Sequence, residues 1–141
     1  DVKRKLPHTF NETLPDGAIS SEVFCPGILV VEGNPYQKNC TLPNKLAVHA
    51  TLKNWPIIFL VDKNSNIKQD EGKFLWTTFT RFEPANDVYA ANSTLIRHHN
   101  CLTPPIVIDC RKKPWYTEEL FVDPETADKV DKKWKNLGLN I

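Results

Sequence analysis

Three groups of side chains in this 141-residue chain are of types that do chemistry. Arg81 and Asp87 flank Pro84; a guanidinium–carboxylate fork across that corner would fix the chain's direction there, and the alternative use of Arg81 is contact with an oxyanion or phosphate. His98-His99, with Arg97 before and Asn100 after, is the most polar titratable cluster, and imidazoles exchange protons near neutral pH. No carboxylate stands near the two histidines at ligand spacing, so the pattern does not read as a metal site. Asp109-Cys110-Arg111-Lys112-Lys113-Pro114 sets a thiol beside three cations, an environment that lowers a thiol pKa; no histidine base is adjacent, so a nucleophilic cysteine lacks its partner in sequence. Cys25, Cys40 and Cys101 complete a set of four without a C-x-x-C pair. They read as buried free thiols of a reducing compartment rather than a zinc site or a disulfide framework.

The elements that position these groups follow from periodicity. Lys73 to Tyr89 (KFLWTTFTRFEPANDVY) reads as an amphipathic helix, a proline corner and a strand. Asp70 is its expected N-cap. Phe74, Leu75, Thr78, Phe79 and Phe82 mark the expected buried face. Glu83 before Pro84 stops the helix, and Arg81 suits its last turn. Upstream, Ile28–Val31 and Pro56–Val61 read as buried strands, with a helix over Pro43–Leu52 between them. Asp62–Asn66 reads as a turn. Downstream come a strand at Asp87–Ala90, a polar loop over Asn92–Asn100, a strand at Ile106–Ile108, an irregular tail through Phe121, and a last helix over Glu125–Lys135, capped by Asp123-Pro124 and ended by Gly138. Residues 1–22 read as an extended arm or linker, docking on a partner or trailing from an upstream domain. Residues 23–141 read as one α/β domain, a compact mixed-sheet sandwich with crossover helices.

Composition fits that domain. The chain is 40% hydrophobic and 25% charged, with a formal net charge of +1. That is globular and not disordered, and no polybasic block calls for nucleic acid or a membrane surface. The longest apolar run, Trp55 to Val61, is too short to span a bilayer. The chain begins at Asp1 and holds no methionine, which reads as a fragment, a processed chain or one lacking its first residues. Residues 1–15 have no apolar signal-peptide core, so the expected location is cytoplasmic, and N-x-S/T at Asn11, Asn39 and Asn92 reads as chance.

Leu75-Trp76, Thr80-Arg81, Pro84 and Asp87, followed by IVIDCRKKP, resemble the C-terminal domain of UbiD-type (de)carboxylases. The wording is most similar to the aromatic-carboxylase branch, which includes phenylphosphate, naphthoate and benzene carboxylases. The resemblance runs from about residue 23 onward. It departs at PIIFLVDKNSNIK, where the family carries an acidic VDDDID-like run: only Asp62 survives, and Lys63, Asn64, Ser65 and Asn66 replace the acids. Cys110 stands where that branch has a small residue. The resemblance implies a domain that mediates oligomerisation and closes over an active site. It implies that Leu95, His98 and His99 line a substrate pocket completed by a second domain. The catalytic Glu-Arg-Glu/Asp network, prenylated FMN, Mn²⁺ and K⁺ belong to other domains of the family. This chain is therefore expected to hold no catalytic residue, no metal and no cofactor, and to be inactive alone. Its expected partners are larger UbiD-like subunits in a hetero-oligomer. The alternative is a non-catalytic scaffold or regulatory subunit docked on full-length UbiD-like subunits. No G-x-G-x-x-G, P-loop, G-x-S-x-G or H-E-x-x-H motif points to another chemistry.

Overall fold

The computed structural model of the chain describes residues 5–63, 70–117 and 123–138. The element order is β1 (Ala18–Cys25), β2 (Ile28–Gly33), α1 (Leu42–Val48) with a 3₁₀ turn (Ala50–Leu52), β3 (Ile57–Asp62), α2 (Glu71–Arg81), β4 (Val88–Ile96), β5 (His99–Asp109) and α3 (Pro124–Asn136). The strands form one mixed sheet in the order β1-β2-β3-β5-β4. Its centre, β2-β3-β5, is parallel, and an antiparallel hairpin partner closes each edge.

Helices cover both faces of the parallel centre, which is why its strands are almost continuously apolar. Leu29, Val31, Ile58, Leu60 and Val107 point to one face and meet Leu42, Leu46 and Ala47 of α1, with Leu52 and Trp55 beyond it. Val30, Phe59 and Val61 point to the other, where Phe74 of α2 joins them. Phe74 stacks on Phe24 at 4.1 Å between ring centroids and meets Phe59 edge-on at 4.9 Å. Gly33 lets α1 approach the sheet: a Cβ there would lie 2.6 Å from Leu42 Cδ2 and 2.8 Å from Leu60 Cδ1.

The local signals act as expected at several points. The Asp70 carboxylate accepts from the Lys73 N–H at 3.0 Å, and the Asp123 carboxylate from the Thr126 N–H at 2.9 Å. Gly138 takes a left-handed φ of 72° just past α3. Three readings change. Ala18–Glu22 is not arm but the first part of β1. The residues before it dock on their own domain: Phe10 packs edge-on to Trp55, and the Thr51 hydroxyl donates to the Thr13 carbonyl at 2.9 Å. Asn92–Asn100 is not a loop but the continuation of β4 and β5 into a two-stranded ribbon. Its turn residues, Arg97 and His98, both have positive φ, the geometry whose twist suits a tight hairpin. On α2 the buried face is narrower than the apolar spacing predicts: Phe74, Thr77 and Thr78 are buried, whereas Leu75 and Phe79 are exposed. Part of the expected Asp62–Asn66 turn and the tail around Phe121 lie outside the described residues.

Candidate functional site

The parallel strands β2, β3 and β5 end on the same side of the sheet, where open α/β sheets place their ligands. Beyond β5, Cys110 turns into the α2-side cluster and Arg111 lies in a bend. Arg111 is fully buried. Its Nε–H donates to Asp109 Oδ1 at 2.9 Å and its Nη2 to Asp109 Oδ2 at 2.7 Å, a two-pronged fork. Its Nη1 donates to the Asn34 and Asn39 carbonyls at 2.8 and 2.9 Å, and its guanidinium lies over the Tyr36 ring. One side chain thereby ties the β2–α1 connection to the end of β5.

Lys113 is buried as well, and its three donors are all used. Nζ donates to Asp87 Oδ2 at 2.9 Å, to the Arg81 carbonyl at 2.9 Å and to the Asp109 carbonyl. It joins the end of α2, the start of β4 and the end of β5. The fork expected between Arg81 and Asp87 is replaced by two separate pairs. Asp87 takes Lys113 and also accepts the Glu83 N–H at 2.8 Å, while Arg81 Nη1 donates to Asp62 Oδ2 at 3.1 Å. The reason is direction: Arg81 leaves α2 toward the end of β3, and the Pro84 corner carries Asp87 back toward the returning β5 strand. Arg111 and Lys113 were hidden among apparent surface charges. The one local signal is Asp109 two residues before Arg111 at the end of β5.

Cys110 is not a nucleophile in this setting. Burial pushes its thiol up to about 12 and outweighs the cations nearby, so the thiol stays protonated at neutral pH. All four cysteines are free, but only Cys110 is buried; Cys25 is half-buried, and Cys40 and Cys101 are exposed. Burial also raises Tyr89 to about 12, and the Asp109 and Asp87 carboxylates add to the shift.

Above the buried network lies an open cleft of about 800 Å³, walled by Tyr36, Asp62, Lys63, Lys73, Trp76 and Arg81 among others. Leu95, His98 and His99 are not part of it. They sit at the far tip of the β4–β5 ribbon, where Leu95 pairs with Asn100 and Ile96 with His99. His99 and Asp109 are ten positions apart along β5, which at strand rise is roughly 33 Å. The ribbon leaves the sheet at a register shift between Ala90 and Asn92, and β5 meets β3 only from Ile106 onward. Leu95 is 73% exposed and Ile96 55%, an apolar pair held out in water. Among the described residues no group of three or more His, Cys, Asp or Glu side chains could hold a metal ion. No helix among them is long and apolar enough to cross a membrane.

Comparison with solved structures defines the class of fold. The chain superposes on vanillic acid decarboxylase of Sedimentibacter hydroxybenzoicus in its open form with a TM-score of 0.52 and 12% identity, over 86% of this chain and 29% of that one. A UbiD-class enzyme of Pelotomaculum thermopropionicum, solved in complex with prFMN, aligns at a TM-score of 0.42 with 17% identity, over 72% of this chain and 20% of that one. The first of these likenesses makes the fold an α/β domain found within an aromatic-acid decarboxylase. In sequence the chain is homologous to a 4-hydroxybenzoate decarboxylase subunit of Chlamydia pneumoniae, 40% identical over 131 residues. That match covers 93% of this chain and 22% of the relative's length. No family model matches the chain.

Proposed function

We propose that this chain is the C-terminal-type domain, or a small subunit, of a UbiD-type (de)carboxylase acting on aromatic acids in the cytoplasm. In this reading it supports oligomerisation and closes over an active site whose prenylated FMN, Mn²⁺ and K⁺ are held by a partner domain or a larger UbiD-like subunit. The observation that carries the reading is the 40% identity to a subunit of a 4-hydroxybenzoate decarboxylase. The described residues do not fit the cofactor's ions. Asp62, Asp87 and Asp109 already face Arg81, Lys113 and Arg111, and no cluster of ligands stands beside them. In this reading the chemistry falls to a second body.

The ribbon is the part suited to meet that body. Its two-stranded form projects Leu95, His98 and His99 from the sheet, where they serve as an apolar and imidazole wall of the partner's pocket. Closing such a wall over substrate excludes water from the reacting ring. Native mass measurement of the protein from its own source tests the reading. The expected species is an assembly containing UbiD-like sequence, in the same polypeptide or in a second subunit, with prenylated FMN bound. A bare monomer without UbiD-like sequence would overturn it.

A further inference from the structure

The cross-strand register sorts the side chains of the β4–β5 ribbon onto two faces, because paired residues share a face and neighbours along a strand alternate. Leu95 pairs with Asn100 and Ser93 with Leu102, so these four share one face. The Ser93 hydroxyl donates to Asn100 Oδ1 at 2.5 Å across it. Ile96 pairs with His99 and Thr94 with Cys101 on the other face. Leu95 and His99 thus face opposite ways, although both stand at the tip. Every residue from Ala91 to Cys101 is exposed. A ribbon packed on one face would alternate between buried and exposed positions, and this one does not. Two strands wet on both faces are marginal without further cover.

The composition of this stretch is not that of a surface built for water. The whole chain is 25% charged, yet Arg97 is the one charged side chain between Ala91 and Cys101, with His neutral. Exposed edge strands ordinarily carry charges that keep other chains off. Here each face instead carries a large aliphatic side chain at the tip: Leu95, 73% exposed, on one and Ile96, 55% exposed, on the other. Depletion of charge around exposed aliphatic groups is the pattern of an interface core. The size of the relative supplies a candidate for the other side, since the match takes up 22% of its length and leaves most of that polypeptide as a further body.

We propose that the tip, Leu95 to Asn100, is a wedge that enters a slot in such a larger body and is covered on both faces. Leu95 and Asn100 meet one wall of the slot, and Ile96 and His99 meet the other. The walls stand about 10 Å from the ribbon on either side, the spacing of packed sheets. They are lined by apolar and uncharged hydrogen-bonding groups, with a carboxylate at the floor to take Arg97. The wedge rests on the functional reading above only in needing a second body against the ribbon.

Hydroxyl-radical footprinting of the intact assembly, read residue by residue by mass spectrometry, tests it. Leu95 and Ile96 should both be oxidised at least about fivefold more slowly than in the unfolded protein. Leu95→Asp should free Ile96 on the opposite face, and Ile96→Asp should free Leu95, each by about fivefold, because a wedge leaves its slot as a whole. Arg97→Glu should free both. Circular dichroism should match the parent in all three variants, since the tip places no side chain in the core. Oxidation of Leu95 and Ile96 at close to the unfolded rate would overturn the proposal. So would protection of only one of them, which means contact on a single face, or protection that survives Arg97→Glu. A native mass made up of copies of this chain alone would also overturn it, by putting a second copy in the slot. Protection of both faces in an assembly without UbiD-like sequence would leave the wedge standing and remove the functional reading. Free oxidation in an assembly that carries prenylated FMN would do the reverse.

Discussion

At the carboxyl end of the sheet, Arg111 and Lys113 are sealed from water with their donors bonded to Asp109, Asp87 and four backbone carbonyls. At the opposite end, Arg97, His98 and His99 stand in solvent on a tight turn, with Leu95 and Ile96 exposed beside them. The same residue types serve opposite purposes. Buried cations at the first end fix four chain segments together and leave little freedom. Exposed apolar and imidazole groups at the second end contribute almost nothing to the fold. Surface that a fold does not need is surface available to a partner.

Substitutions should separate the two ends. The largest effect is expected for Asp109→Ala, which strands a buried guanidinium; the cost should be about 4 kcal/mol in denaturant unfolding, with much of it recovered when Arg111→Met is added. A cost under about 1 kcal/mol would mean that the network is not what holds this end. Lys113→Met comes next at about 3 kcal/mol, smaller because Asp87 keeps the Glu83 N–H.

Alkaline pH should act on the core next to the carboxyl end. Cys110 has a folded pKa raised from 9.0 to about 12 and Tyr89 from 10.0 to about 12. The unfolded chain loses these protons first. Stability from the buried neutral thiol is thus complete below pH 9 and declines as pH rises toward 12. Cys110→Ala should flatten the first part of that decline. In the native protein at neutral pH a thiol reagent should label Cys40 and Cys101 and spare Cys110. The smallest effect on folding is expected at the ribbon: Leu95→Asp should change stability by less than about 0.5 kcal/mol.

How much of this was visible in the sequence depended on whether a residue's role was local. The Asp70 cap, Phe74 as the α2 anchor, the Pro56–Val61 strand and the Gly138 stop needed only neighbours within a few positions. The ribbon was hidden because Arg97-His98 lacks the Asn or Gly that usually announces a tight turn, and its strands face water on both sides. β1 was hidden because it is an edge strand with Ser20, Ser21 and Glu22 at its middle. Arg111 finds the Asn34 carbonyl 77 positions away and Lys113 finds Asp87 26 positions away, so neither partner could be read from spacing. Leu75 and Phe79 followed the helical period, yet the sheet receives only the Phe74–Thr78 side of α2.

The proposed function has the ribbon tip working on a partner's active site rather than on its own domain. Aromatic-acid decarboxylation by the intact assembly carrying Leu95→Asp tests it most directly, with cofactor content and melting temperature measured on the same preparation. The predicted result is turnover reduced about tenfold or more while cofactor content and melting temperature match the parent enzyme. Turnover equal to the parent's would contradict it.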